Sequence, residues 1–147
     1  MLKSLYPDIE LVGIEPNQQA REIANRDFPI LASDTRDLLF RSGCFDLAFT
    51  AGVLIHISPA DLHKAMQEIA RVSSAYILAI EYFAEEDTEV TYRGNTGLLW
   101  KRDFWKHYTL AVPHLTLLRS GYWDKEDGFD RCHYWLMKKV GEDSTGH

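Results

Sequence analysis

The chain has 147 residues, of which 46% are hydrophobic, 12% aromatic and 26% charged. A chain of this size and composition is typical of one globular domain with its own core, so collagenous, disulfide-stapled and intrinsically disordered classes are excluded. The formal net charge is -6, from 16 Lys and Arg against 22 Asp and Glu, whereas a general nucleic-acid binder carries a basic excess.

Residues 1–7 contain no apolar stretch of the kind found in secretory signals, and no apolar run approaches the ~18 residues of a membrane span. Cys44 and Cys132 lie far apart without a CxxC spacing, which favours reduced, buried thiols. These features predict a cytoplasmic protein with neither a nucleic acid nor a membrane as its partner.

Strand-like and helix-like segments alternate along the first part of the chain. The short apolar run Ile9–Ile14 is typical of a strand, and Asn17 is a good N-cap for a helix over residues 17–27. Residues 30–32 predict a second strand, and residues 33–43 a largely polar loop.

Phe45–Thr50 predicts a third strand, and a second helix is expected to start at Ser58. Ser58 can cap that helix, Pro59 lacks only an N–H that the first turn leaves unpaired, and Asp61 completes a capping box. Ala75–Phe83 predicts a fourth strand whose middle is apolar on both faces, as a central parallel strand requires.

The last third of the chain has a different pattern. Residues 84–99 are polar and predict a loop, and Lys101–Leu110 predicts a helix. Leu115–Trp123 and Cys132–Lys139 predict two strands that are joined closely enough to form an antiparallel hairpin. Residues 141–147 are polar and predict a frayed tail.

Strands separated by helices and followed by a hairpin predict a three-layer α/β architecture with a mostly parallel sheet, in one domain over residues 1–140. In such sheets ligands bind at the carboxyl ends of the strands. The residues that follow the predicted strands are therefore site candidates: Glu15, Pro16, Asn17, Ser33, Asp34, residues 50–56, Glu81 and Tyr82.

Two acidic residues have a specific chemical interpretation. Glu15 lies at a strand tip, where an ionised carboxylate can accept both hydroxyls of a ribose. The alternative is a solvated carboxylate, or a charge favoured by the dipole of the next helix. Asp34 follows the second strand and can accept from an adenine amino group, although a turn aspartate is at least an equal alternative.

The order and spacing of several segments resemble a known family. Residues 12–17, Asp34 and residues 45–57 resemble the class I S-adenosylmethionine-dependent methyltransferases. More closely, residues 52–59, Tyr76–Phe83, Tyr92–Gly94 and Lys101–Phe104 are similar to the methylases associated with pseudaminic acid biosynthesis. The resemblance extends from about residue 8 to residue 139.

The resemblance implies a Rossmann-like methyltransferase fold, S-adenosylmethionine as cofactor and a small, sugar-related substrate. Glu15 corresponds to the residue that binds the ribose of the cofactor, and Asp34 to the aspartate near the adenine amino group. The other implied cofactor-binding residues are Pro16 and Asn17 at the adenine, and Thr50, Ala51 and Gly52 near the methionine moiety and the transferred methyl group.

The chain departs from this family in one respect. The glycine-rich motif E/D-x-G-x-G-x-G, which contacts the carboxypropyl tail of the cofactor, is absent together with the first strand of the fold, so the chain resembles an N-terminally truncated member. That strand is central in the family sheet, between the strands predicted at residues 9–14 and 45–50. Either these strands pair directly, a homodimer covers the exposed edge, or the true protein is longer.

Methyl transfer needs an aligned nucleophile and sometimes a base for its proton. His56, Glu81 and Tyr82 lie where such a group is needed and are the candidate catalytic residues. The alternatives are a loop histidine bonded to backbone, a solvated strand-end carboxylate and an aromatic residue of the core or its rim.

A sparse basic set interleaved with aromatic residues provides candidate substrate-binding groups: Tyr92, Arg93, Lys101 and Arg102, with Lys106. Arginine can grip a carboxylate bidentately, so this set would suit an anionic sugar or its phosphates. The alternative is a solvated helix face. The six histidines lack the HxxxH or HxH spacings of metal ligands, so no metal is expected.

Two other functions remain open at this point. The absent glycine-rich loop is compatible with a non-catalytic methyltransferase-like module that now serves in binding or assembly. A weaker alternative is a nucleotide- or sugar-binding protein that retains the ribose and adenine contacts without transfer chemistry.

Overall fold

The computed structural model describes residues 5–24, 28–124, 126 and 131–141. The chain divides into two compact units, residues 1–39 and residues 40–147.

The described residues of the first unit contain the elements β1 (Gly13–Ile14), α1 (Gln18–Ala24) and β2 (Ile30–Leu31), and the two strands are parallel. In the parallel register, Gly13 pairs with Ile30. The N-cap prediction at Asn17 is confirmed, because its Oδ1 accepts a hydrogen bond of 3.0 Å from the backbone N–H of Ala20. The predicted helix over residues 17–27 therefore forms, although its last three residues lie outside the described part of the chain.

The second unit contains most of the secondary structure. Its elements are β3 (Phe45–Ala51), a 3₁₀ helix (Leu54–His56), α2 (Leu62–Val72), β4 (Ser73–Glu81), β5 (Thr88–Glu89), β6 (Trp100–Lys101), α3 (Phe104–Ala111), β7 (Leu115–Trp123) and β8 (Cys132–Lys139). Four strands form a mixed sheet in the order β3-β4-β8-β7, in which only β3 and β4 are parallel. The predicted α/β class and terminal antiparallel hairpin are confirmed, the hairpin strands with the predicted bounds.

Helices α2 and α3 and one face of the sheet share the hydrophobic core. The apolar stripe of α2 is buried, and it meets residues that alternate along the strands, as the pleat requires. The core residues include Leu62, Met66, Ile69 and Ala70 from α2, Ile77 and Ala79 from β4, Phe104 and Tyr108 from α3, and Trp135 and Met137 from β8. Each large side chain buried here contributes about 1.5–3 kcal/mol.

The opposite face of the sheet is more exposed. Leu47 and Phe49 of β3 are 42% and 49% exposed, and Tyr76 of β4 is 37% exposed. Leu78 and Ile80 are only half-buried, so the prediction that β4 is buried on both faces is wrong. Strand β3 forms one edge of its sheet. The described strand pairs do not include the direct pairing considered for the strands predicted at residues 9–14 and 45–50.

Two helix starts differ from the prediction. Helix α2 begins at Leu62, because the Ser58 hydroxyl donates to the Asp61 carboxylate at 3.1 Å, and no side chain caps the first turn. Helix α3 begins at Phe104 instead of residue 101, because residues 100–101 pair with β5 as strand β6. Residues 84–99 are therefore not only a loop, since they contain β5 and lead into β6.

Neither cysteine forms a disulfide, as predicted, and Cys132 is buried. Cys44 is exposed, so the predicted burial of that thiol is wrong. Among the described residues, no helix has the length and the apolar character that crossing a membrane requires.

Candidate functional site

The first unit presents Glu15 directly after β1, at the carboxyl end of a parallel strand. Its Oε1 accepts a hydrogen bond of 3.1 Å from the backbone N–H of Asn17, and within the described chain the other carboxylate oxygen has no hydrogen-bond partner. The predicted position at a strand tip is confirmed. A carboxylate with one free oxygen is able to accept a hydroxyl group of a ligand.

The neighbouring residues Pro16 and Asn17 are exposed. The side chain of Asn17 is engaged as the cap of α1, and the Pro16 carbonyl accepts a bond of 2.8 Å from Arg21. Arg21 also donates to the Glu15 carbonyl at 2.9 Å, so it holds the backbone of this strand tip in place.

Asp34 follows β2 and lies in a turn. Its Oδ1 accepts from the backbone N–H of Arg36 at 2.8 Å, and its Oδ2 accepts from the Arg36 guanidinium at 2.6 Å. This is the geometry of the turn-aspartate alternative. Any contact with an adenine amino group would therefore share a carboxylate that Arg36 already engages.

In the second unit, Thr50 and Ala51 are the last two residues of β3, and Gly52 follows the strand. Thr50 is buried, Ala51 is exposed, and the Gly52 N–H donates to the Ile80 carbonyl at 2.9 Å. Gly52 has a φ of 65°, and no atom lies within 4 Å of the place where a Cβ would be. The backbone conformation at residue 52, and not its packing, therefore favours glycine. Because glycine has no side chain, the backbone here borders open space.

Glu81 lies at the end of β4 and is 1% exposed, so the alternative of a solvated carboxylate is wrong. Its carboxylate accepts the backbone N–H groups of Val53 at 3.2 Å, Leu54 at 3.0 Å and Ile55 at 3.4 Å. Burial raises the pKa of Glu81, and these hydrogen bonds oppose that rise. The geometry makes Glu81 the acceptor for the start of the 3₁₀ helix.

Arg102 is fully buried and holds the other end of the same turn. Its guanidinium donates to the carbonyl of Leu54 at 3.1 Å and to the carbonyl of Ile57 at 2.9 Å, and it lies 5.1 Å from the Trp100 ring. Burial lowers the pKa of Arg102, against the attraction of Asp87 and Glu81. The predicted role of Arg102 in substrate binding does not fit, because its side chain is inaccessible.

His56 is exposed on the turn that Glu81 and Arg102 hold. Its Nδ1 lies 2.7 Å from the carbonyl oxygen of Leu98. A carbonyl can only accept, so Nδ1 carries the proton, and the Nε2 of the neutral ring has a free lone pair. His56 is therefore oriented as a proton acceptor.

The remaining predicted residues lie around the hairpin that precedes α3. The Tyr92 ring is 5.7 Å from the His56 ring, and the Arg93 guanidinium is 5.1 Å from the Tyr92 ring. Lys101 is exposed on β6. Tyr82 is half-buried and packs against the core, which is the rim alternative.

The structure also brings together residues that the sequence did not single out as a group. His63 Nε2 lies 3.0 Å from His107 Nδ1, and His107 Nε2 lies 2.8 Å from an oxygen of Asp87. These residues come from α2, from α3 and from the segment before β5. No local spacing signals the contact, because more than 40 sequence positions separate the two histidines.

His133 was also not identified from the sequence. Its ring stacks on Trp135, with centroids 4.2 Å apart, and contacts Tyr122 and Phe83. Both ring nitrogens are buried, and within the described chain neither has a hydrogen-bond partner. Burial lowers the pKa of His133, and the opposing effect of Asp103 is smaller.

Substitution of Glu81 tests the anchoring of the turn. Glu81→Ala leaves the buried N–H groups of Leu54 and Ile55 without an acceptor and removes the charge that attracts Arg102, so we expect the unfolding free energy to fall by about 3–5 kcal/mol. Urea unfolding measures this loss, with Glu86→Ala as the exposed control, for which we expect a change within about 0.5 kcal/mol. Equal stability of the two variants would contradict the assignment.

The pH dependence of stability tests the burial of His133. Its folded pKa lies below the ordinary value, so the stability from the neutral ring is present above about pH 6.5 and is lost as the pH falls through the folded pKa. His133→Phe removes this contribution and should flatten the fall of the unfolding free energy between about pH 7.5 and about pH 5.5. Urea unfolding at both pH values gives the comparison, and parallel curves for the two proteins would overturn it.

A family model described as a methyltransferase domain matches residues 1–75. No curated protein sequence matches the chain significantly. A solved S-adenosylmethionine-dependent methyltransferase from Methanosarcina mazei aligns with a TM-score of 0.74 and 14% identity, over 96% of this chain and 87% of that chain.

Two further structures have the same fold. The 1,6-didemethyltoxoflavin-N1-methyltransferase of Burkholderia thailandensis, solved with 1,6-didemethyltoxoflavin and S-adenosylhomocysteine, aligns with a TM-score of 0.71 and 14% identity, over 93% of this chain and 64% of that chain. A protein from Pyrococcus horikoshii aligns with a TM-score of 0.68 and 13% identity, over 95% and 75% of the two chains. The chain has the Rossmann-like fold of class I S-adenosylmethionine-dependent methyltransferases. Because the family model covers just over half of the residues of this chain, the chain belongs to the methyltransferase domain family.

Proposed function

We propose that this protein is an S-adenosylmethionine-dependent methyltransferase that acts on a small, sugar-related acceptor. The observation that carries the proposal is the half-buried Glu15 carboxylate, which lies at the tip of a parallel strand with one oxygen free. A carboxylate in this position suits the hydroxyls of a ribose. Both S-adenosylmethionine and S-adenosylhomocysteine contain this ribose.

The residues present fit the cofactor in part. The free oxygen of Glu15 would hold the ribose, Pro16 and Asn17 would border the adenine, and Asp34 would reach the adenine amino group while it remains bound to Arg36. Bound S-adenosylmethionine supplies an electrophilic methyl carbon on its sulfonium.

In the second unit, Thr50 and Ala51 stay proposed cofactor-binding residues on the family resemblance alone. The bare backbone of Gly52, beside open space, permits a close approach of ligand atoms.

His56 is the general base of the proposed reaction. Its Nε2 has a free lone pair, because Nδ1 is committed to the Leu98 carbonyl. This nitrogen would accept the proton of the acceptor hydroxyl as that oxygen bonds to the methyl carbon, while the carbon–sulfur bond breaks and S-adenosylhomocysteine would leave as a neutral thioether. Glu81 has no such role, because both of its oxygens accept backbone N–H groups. It supports His56 by holding the turn.

The acceptor would contact the hairpin near His56. Tyr92 offers an aromatic face 5.7 Å from the His56 ring, and Arg93 and Lys101 are exposed cations. An anionic sugar matches this set, because arginine binds carboxylates and phosphates bidentately. The exposed apolar side chains of β3 at the sheet edge favour a homodimer that covers this strand.

The ribose contact is tested by calorimetry with S-adenosylhomocysteine. We expect measurable binding by the wild type and at least about tenfold weaker binding by Glu15→Gln, because a neutral amide is a poorer acceptor for two hydroxyls. Glu10→Gln, an exposed acid on the same unit, should bind like the wild type. A folded wild-type chain that gives no heat at millimolar ligand would rule out the cofactor.

The base is tested by methyl transfer from labelled S-adenosylmethionine to a panel of sugar carboxylates. His56→Gln should lower kcat by about 10²-fold or more without weakening the binding of S-adenosylhomocysteine. His114→Asn is the matched control, since His114 is exposed and has a positive φ that asparagine tolerates. Transfer at the wild-type rate by His56→Gln would exclude His56 as the base.

A further inference from the structure

The segment between β4 and α3 forms a hairpin, here called the flap and defined as residues 84–101. Strands β5 and β6 pair in antiparallel register, and Tyr92 and Asn95 exchange two backbone hydrogen bonds of 2.9 and 3.0 Å at the far end. The two residues between them, Arg93 and Gly94, have φ values of 51° and 78°. This is the geometry of a two-residue type I′ turn.

The flap has few apolar contacts beyond its base. Leu99 and Trp100 are buried, and Val90 and Tyr92 are partly buried, whereas most of the residues from 85 to 98 are exposed. A segment with so little buried apolar surface belongs to the low-stability part of a fold. Its position therefore depends strongly on polar contacts.

Within the described chain, polar side-chain contacts link the flap to the rest of its unit at two places, in addition to the backbone hydrogen bond from Ala84 to the Arg102 carbonyl. Beside Leu99, the Leu98 carbonyl accepts from His56 at 2.7 Å. At the base of the flap, Asp87 lies just before β5. Its two carboxylate oxygens accept from His107 Nε2 at 2.8 and 3.0 Å, and one of them lies 3.7 Å from Arg102 Nε. Asp87 therefore connects the flap to α3 and to the buried arginine that holds the turn of His56.

The base contact belongs to a hydrogen-bonded chain with defined proton positions. The Asp87 carboxylate can only accept, so His107 Nε2 carries a proton in the neutral ring and His107 Nδ1 is the acceptor. His63 Nε2, 3.0 Å away, must then donate to it. This chain extends from the flap through α3 to α2, so the flap base is anchored to both helices.

We propose that the flap is a lid over the acceptor end of the site and that Asp87 is its positioning residue. With the flap closed, the Leu98 carbonyl holds His56 in the tautomer that leaves Nε2 free. With the flap open, that carbonyl is lost, and neutral histidine in water favours the opposite tautomer, in which Nε2 carries the proton and cannot act as base. Closure of the flap thus completes the base.

The catalytic meaning of this inference rests on the proposed function, but its geometry does not. The tautomer of His56 is read by ¹⁵N NMR of the ring nitrogens at about pH 8. Flap opening is read by hydrogen exchange of the amides of Val90 and Asn95. Neither measurement needs a cofactor, an acceptor or turnover.

For the wild type we expect the Nδ1–H tautomer at His56 and protected flap amides. Asp87→Ala should shift His56 toward the Nε2–H tautomer and speed the exchange of the flap amides by at least about tenfold. Asp87→Asn keeps an acceptor oxygen for His107 and should restore the wild-type tautomer. Glu86→Ala, the adjacent exposed acid, is the matched control and should resemble the wild type.

Three results would overturn the inference. They are an Nε2–H tautomer in the wild type, an unchanged tautomer and unchanged flap exchange in Asp87→Ala, and a failure of Asp87→Asn to restore what Asp87→Ala loses. Protection of the β4 amides, such as that of Ile77, shows that each variant is folded. If S-adenosylhomocysteine fails to bind while these expectations hold, the proposed function is wrong and the flap assignment stands.

Discussion

The arrangement of the second unit depends on two buried charged side chains that hold one short turn. Glu81 accepts the N–H groups at the start of the turn, and Arg102 donates to its carbonyls, including that of Ile57. Burying each charge carries a desolvation penalty, which lowers the net contribution of such groups to stability. Their contribution is therefore conformational, because they fix one geometry for a turn that has no regular partner in the sheet.

This arrangement explains why His56 can be exposed and still have a defined orientation. Glu81 and Arg102 hold the backbone of the turn that carries His56, and the Leu98 carbonyl holds the His56 ring. The same arginine lies beside Asp87, which anchors the flap. One buried cation is thus in contact with both the turn and the segment that covers it, and this gives the candidate base a defined environment without a carboxylate partner of its own.

Sequence patterns predicted the parts of this fold that are set by local periodicity. The bounds of strands β7 and β8 follow from the sequence pattern of these segments. The flap was predicted as a loop, because its pairing depends on two-residue strands and on an arginine in a conformation that usually selects glycine or asparagine. The burial of Glu81 and Arg102 was missed for another reason: both residue types are ordinarily exposed, and their partners lie 26 to 48 positions away.

The exposed edge of the four-stranded sheet also has a bearing on how the chain behaves in concentrated solution. Strand β3 carries Leu47 and Phe49 on one face, both more than 40% exposed, and the described chain pairs only one of its two edges. A seven-residue strand of this kind, with a single acidic side chain at Asp46, is a template for the addition of partly unfolded copies. A lysine in place of Phe49 would therefore act as a gatekeeper against fibrillar assembly while leaving the core face of the sheet intact.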